Sequence, residues 1–485
     1  MHGSTRAAAR RYGARVRVAP LALAIALCCH AAARAATIAV NDPSEGSVAG
    51  KCTLEDAVAA INTAAPKNAC PAGDGADDTV DLGFFTSPTT LTFTLPSPAD
   101  PNSALALSKP ATIRAGVDAS GNPLVSLARS TVSGTPAFRL LSTSADLSLR
   151  GVAMRNGISP DLGGALNASG SAALTITNST FSGNTAGASG GAIAADCGDI
   201  TLSHATVSGN SATKNGGGVY ASNYLVGGGH CVSVITLASS KVTGNQTATG
   251  SGGGVYSFYG NVYATFSTFD SNHAGGDRGG GVYAYINASL YYSTVSNNSS
   301  SVGAGGVGAA NEIYLGNSTV AGNYSIGATA GLEAFRVSIF FSTITGNTVG
   351  PQNYPLGGMA FLASAYIVGS IVAGNAGGQI IGEASVQGHN NIFGSNGPGQ
   401  SITLPPDSMN CNPLLAPLAD NGGPTKTMAL MDGSCALNRG PAFAPDFHSD
   451  QRGARFARRV GSATDIGAFE SGNDRIFFDG FSGLP

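Results

Sequence analysis

Between residues 136 and 400 the apolar and polar positions of this chain fall into a pattern that returns about once every 25 residues. One phrase, Ser-Thr-Phe-Ser-Gly-Asn ending at Asn184, recurs in variants ending at Asn210, Asn245, Asn272, Asn298, Asn323, Asn347 and Asn375. The steps are 26, 35, 27, 26, 25, 24 and 28 residues, and a weaker earlier coil ends at Asn156. A fixed period of this length is the mark of a solenoid. Three residues before each Asn stands an apolar column, Phe181, Val207, Val242, Phe269, Val295, Val320, Ile344 and Val372; five before it stand seven Ser and Ala205. Between them lie Thr180, Thr206, Lys241, Thr268, Thr294, Thr319, Thr343 and Ile371. Period-two alternation means strand, with the Ser and aliphatic columns inward and the Thr column outward.

Two further columns repeat. A Gly pair or triplet precedes Leu166, Ile193, Val219, Val255, Val282, Val307, Leu332 and Met359. Eight residues before each Asn stand Ile176, Leu202, Leu237, Ala264, Leu290, Leu315, Ile339 and Ile367. Two or three short strands per coil, separated by Gly and Asn corners that tolerate left-handed backbone angles, predict an all-β parallel β-helix of about nine coils. A leucine-rich repeat would need another Leu spacing and a helical segment. Upstream, Leu54, Ala57, Val58 and Ile61 keep helical spacing and predict a short helix capping the first coil.

The division expected is 1–35 signal peptide, 36–135 cap and first irregular coils, 136–400 repeats, 401–472 C-terminal region and 473–485 tail. The signal reading rests on Arg6, Arg10, Arg11, Arg15 and Arg17, the apolar run Leu21 to Cys29, and Ala33-Arg34-Ala35 as cleavage site. That run is too short for a membrane span, and no other is long and apolar enough to cross as a helix. Losing residues 1–35 removes six Arg and no acid, so the net charge moves from −3 to −9. This argues against nucleic acid as a partner. Six Cys of the eight remain, an even number in an exported chain, and proximity pairs Cys52 with Cys70, Cys197 with Cys231 and Cys411 with Cys435. With the long coil's extra loop, about 223–229, subtracted, Cys197 and Cys231 share nearly one column.

Cys52-Thr-Leu-Glu-Asp-Ala-Val58 resembles the CSLREA-type segment that opens many secreted bacterial β-helix proteins, with Thr53 and Glu55 departing from it. Asp420–Thr427, Gly433–Ala436, Asp450-Gln-Arg-Gly453 and Asp465–Glu470 resemble the choice-of-anchor Q region. Gly190-Gly-Ala-Ile193, Phe181-Ser-Gly-Asn184 and Phe269-Asp-Ser-Asn272 resemble repeats of polymorphic outer-membrane proteins, although the roughly 110 residues after Asn375 are expected to be too few for a translocating barrel. These resemblances imply a right-handed helix and an extracellular or cell-surface location, and supply no activity.

Candidate chemistry is sparse. The residue after the aliphatic column should face out, and it is Tyr220, Tyr256 and Tyr283 on three successive coils; two further on come Phe258, Tyr285 and Phe335. Exposed aromatics on a rigid sheet stack against sugar rings, so a polysaccharide or surface glycan is the expected partner; the plain alternative is that they stack on one another. No column aligns two carboxylates on neighbouring coils. Glu312 beside Arg336, in a polar column with Asn261 and Asn287, is the one acid and base pair, and more often such a pair is an exposed ion pair. Asp196, Asp199, Asp277 and Arg278 read as turn residues, with calcium the only cofactor they suggest. His204, His230 and His273 share no column. Arg452, Arg455, Arg458 and Arg459 form a basic run that reads as a solvated face or a structural motif. The readings to separate are a non-catalytic adhesin-like binder, a polysaccharide lyase or hydrolase, and a structural spacer.

Overall fold

A computed structural model describes residues 35–222, 231–351, 356–396, 402–442 and 447–472. Most of the expected signal segment (residues 1–34), residues 223–230 with His230, and residues from 473 on, including Ile476–Phe481, lie outside the described residues. The chain forms a parallel β-helix. Among the described residues a broad sheet has 22 strands, usually two per coil; a narrow sheet has 12; a short sheet has 8. The ladders between strands along the repeats are parallel, and the predicted strand columns are ladders of register partners. Val219 pairs with Val255 and Val255 with Val282, Leu290 with Leu315, and Phe269 with Val295. The inward columns are fully buried and make one continuous core. The narrow sheet begins before the repeated phrase, at Thr89–Phe93 and Val125–Arg129, and ends after it, at Ile392–Phe393. It therefore has three more strands than the nine coils counted from the phrase.

The repeated Asn are not the corners. Asn184 through Asn347 are fully buried and form an interior ladder. The backbone N–H and Nδ2 of Asn272 both donate to Oδ1 of Asn298, at 2.9 Å each, and Nδ2 also reaches back to the Val242 carbonyl. The pattern repeats up to Asn375, whose N–H and Nδ2 donate to Oε1 of Gln379, which closes the ladder. The left-handed corner is the residue before, Gly183 (φ 63°) in one coil, Ser271 (φ 56°) and Asn297 (φ 55°) in others. Asn156 (φ 62°) belongs to that column, and Gly157 takes the ladder position, its N–H donating to Asn184 Oδ1. A buried carboxamide satisfies one donor and one acceptor per coil that a tight corner would otherwise orphan. The Ser column does the same at the other end of the strand, from Ser240 through Ser370, and Asn391 closes it.

Both ends are covered. Helix α1, Leu54–Thr63, is capped by Thr53, whose side chain accepts from Asp56 N, and it buries Leu54, Ala57, Val58 and Ile61 as predicted. The Cys52–Cys70 disulfide sits at its start. At the far end Val386 N donates to the Thr403 carbonyl and Phe393 N to the Met409 carbonyl. The chain then turns back as an arm over the outer face of the narrow sheet. There the outward column is buried: Thr294 Oγ1 donates to Lys426 O, Thr319 Oγ1 to Gln451 Oε1, and Ile371 packs with Ala436 and Ile466. The other two disulfides, Cys197–Cys231 and Cys411–Cys435, form as sequence proximity implied.

Candidate functional site

Tyr220, Tyr256 and Tyr283 occupy one register column, as expected. They are not an exposed face: Tyr256 and Tyr283 keep only 7% and 8% of their surface, and Tyr220 is half-buried. The rings stack on each other, with centroids 5.7 and 5.4 Å apart and planes 23° and 19° from parallel. Rungs about 4.8 Å apart leave little room for rings to splay. Gly308 in the next coil lets Tyr283 lie over it, since a Cβ there would meet the ring at 2.8 Å. Burial pushes all three phenols above their ordinary value. Phe258 and Tyr285 lie beside this stack with Tyr259. Tyr285 and Phe335 are exposed, the latter with the Arg336 guanidinium 5.2 Å over its ring.

A second aromatic row, absent from the sequence reading, is more open. It runs along the other half of the broad sheet through Tyr263, Tyr291, Tyr314, Phe340 and Tyr366 on five successive coils. These residues stand alternately nine and seven positions before the ladder Asn, so they zigzag between two outward columns. Small residues stand opposite the middle rings: Ser289 and Ser338 flank Tyr314 in register, and Gly316 lies between Tyr291 and Phe340, whereas on the following coils Phe340 faces Val368 and Tyr366 faces Gln387. Successive centroids from Tyr291 to Tyr366 are 5.1, 5.2 and 5.8 Å apart. Tyr263 and Tyr366, at the two ends, are 41% and 43% exposed. The arm borders this row through Phe447, 6.4 Å from Phe340. The sequence signal was available, but only by counting back from the Asn.

Glu312 and Arg336 are register partners on the same outer face. Their side chains go to different partners: Ser338 Oγ donates to Glu312 Oε1 at 2.8 Å, and Arg336 donates to Asn311 Oδ1 at 3.2 Å. Two acids and one base meet beside the buried Tyr stack. Arg278 lies 3.5 Å from Asp277 and 3.4 Å from Glu333, beside Tyr283. Burial, more than the opposing pull of Arg278, raises Glu333 above the usual carboxylate range. Asp196 is also raised by burial, and Asp199 accepts from Val234 N. His204 sits at a left-handed corner and His273 in the short sheet. Among the described residues no three His, Cys, Asp or Glu converge as a metal ion would require.

The basic run divides: Arg455 and Arg459 are exposed, whereas Arg452 and Arg458 are part of the arm's interior. Arg452 and Arg458 are buried, pairing with Asp450 and Glu470 at 2.8 and 2.9 Å. Arg452 is sandwiched between Phe456 and Phe469, 3.9 Å from each centroid.

The model of the Chlamydia polymorphic membrane protein repeat matches residues 178–196 and 204–222. Those two stretches each run from a narrow-sheet strand through the ladder Asn into the next broad-sheet strand. The likeness therefore covers the coil-forming phrase and neither aromatic row beyond Tyr220. No curated protein and no solved structure matches the chain.

Proposed function

We propose that this chain is an exported, surface-exposed β-helix that binds carbohydrate on the outer face of its broad sheet and does not cleave it. The observation that carries the reading is the zigzag of Tyr263, Tyr291, Tyr314, Phe340 and Tyr366. Rings held by a sheet lose few rotamers on binding, and a pyranose offers them an apolar face. Asn311, Glu312, Arg336 and Ser338 stand along the same face and suit hydroxyl groups. Three disulfides favour an oxidising compartment, and the repeat likeness to a membrane protein family points the same way.

The test is a glycan-array screen of the purified chain with polysaccharide breakdown assayed in parallel. Tyr314→Ala and Tyr366→Ala should each weaken binding by about tenfold, the equivalent of about 1.4 kcal/mol. Tyr256→Ala, in the buried stack, should leave the affinity of the folded protein unchanged. Binding that survives both stripe variants would defeat the proposal. A second reading, polysaccharide cleavage, is favoured only by the Asp277, Arg278 and Glu333 group; product release that Glu333→Gln abolishes would support it.

A further inference from the structure

At the opposite end of the coil stack a cavity of ≈ 670 Å³ opens between helix α1 and the segment Leu95–Ala99. Its size lies within the usual range for small-molecule sites, roughly 300–1,000 Å³. Val58, Leu95, Pro96, Pro98 and Leu105 make much of its wall apolar. Three carboxylates, Glu45, Glu55 and Asp56, line it against a single cation, Lys67.

The three acids are not equivalent. Glu45 is spent on the wall itself, accepting from Thr94 N at 2.7 Å and Leu95 N at 2.9 Å. Asp56 accepts from Ser47 Oγ and Asn68 Nδ2, at 2.5 and 3.3 Å. Glu55 takes one donor, Gly46 N at 2.8 Å, on Oε1, while Oε2 is buried with no hydrogen-bond partner. Burial chiefly raises Glu55, and the negative charges of Glu45 and Asp56 add to it. An orphaned carboxylate oxygen beside two other negative charges is costly, and a charged donor is what would satisfy it.

We propose that this cleft binds a small organic ammonium, one protonated amine on an apolar body, with the ammonium on Glu55. The apolar wall takes the body and the acidic side takes the charge. The site is separate from the aromatic row and does not depend on the carbohydrate reading.

The test is calorimetric titration of the whole protein at neutral pH with n-hexylammonium, hexanol and hexanoate. The ammonium should bind about tenfold tighter than hexanol, and hexanoate more weakly than either. Glu55→Gln should bring the ammonium down to parity with hexanol while hexanol binding holds. Lys67→Glu, a change at an exposed position, should strengthen the ammonium and weaken hexanoate further, and it serves if Glu55→Gln fails to fold. Equal binding of ammonium and alcohol, a preference that survives both variants unchanged, or no binding by any of the three would overturn the proposal.

Discussion

Replacing Asn298 with Ala in the middle of the interior ladder should destabilise the protein by about 4 kcal/mol. Asn298 is fully buried, and its Oδ1 is the shared acceptor for Asn272 N and Asn272 Nδ2, both at 2.9 Å. Truncation orphans both donors, each at about 1–3 kcal/mol. It also takes a donor away from the Phe269 carbonyl. The position along the ladder supplies the internal control. Asn184, near its start, accepts only from Gly157 N among these donors, so Asn184→Ala should cost about half as much. Thr268→Ala, on the outer face of the same sheet, should stay within about 0.5 kcal/mol. The assay is equilibrium unfolding in urea followed by far-ultraviolet circular dichroism, comparing midpoints at equal slope. If Asn298→Ala cost no more than Asn184→Ala, the ladder would not be carrying the buried donors and the reasoning would be wrong.

Gly316→Leu should loosen the arm, because even a Cβ there would meet Phe447 at 2.8 Å and Tyr291 at 3.0 Å; faster proteolysis after Lys426 or the nearby arginines would report it. Tyr256→Ala should cost about 3–5 kcal/mol in stability, as a buried aromatic truncation does, and a cost below 1 kcal/mol would mean the stack is not packed. Burial outweighs the attraction of Arg458 and pushes Glu470 up to about 7, so the folded chain holds a proton there that the unfolded chain, at 4.5, releases. Stability from this group is therefore full below pH 4.5 and lost as pH rises through 7, by up to about 3 kcal/mol. Glu470→Gln should flatten that part of the pH dependence of thermal unfolding.

The coil was legible because its columns carry the physics of a strand: Phe181 to Val372 alternate with Thr180 to Ile371, and each register pair followed. The interior role of the Asn column was not legible, because Asn favours both left-handed corners and buried carboxamide ladders. The preceding Gly, with Asn297 and Ser271 in its place, was the clue to which of the two applied. Tyr256 and Tyr283 were read as exposed because period two says only which side of the sheet a residue takes; whether neighbouring rings cover it depends on rung spacing. The zigzag row escaped because each single column alternates large and small, and only two columns together show a continuous line. Arg452 and Arg458 pair with near neighbours, Asp450 and Glu470, but their burial within the arm, which makes the pairs structural, is a tertiary property that a run of basic residues does not show.

Successive Asn of the interior ladder are separated by 24 to 35 residues, one turn of the stack. The arm reaches much further back, with Thr294 to Lys426 and Thr319 to Gln451 each spanning 132 residues. Such loops close slowly, and their contacts have no surface to meet until the coils exist. A chain emerging amino end first can therefore wind one rung at a time, each new turn templated by the last, with the arm arriving as the closing event. Folding followed by pulse-labelled hydrogen exchange should show Val255 and Val282 protected before Gln451 and Ile466. The molecule would then acquire its ordered strands early and its resistance to proteases late, as two separable stages of maturation.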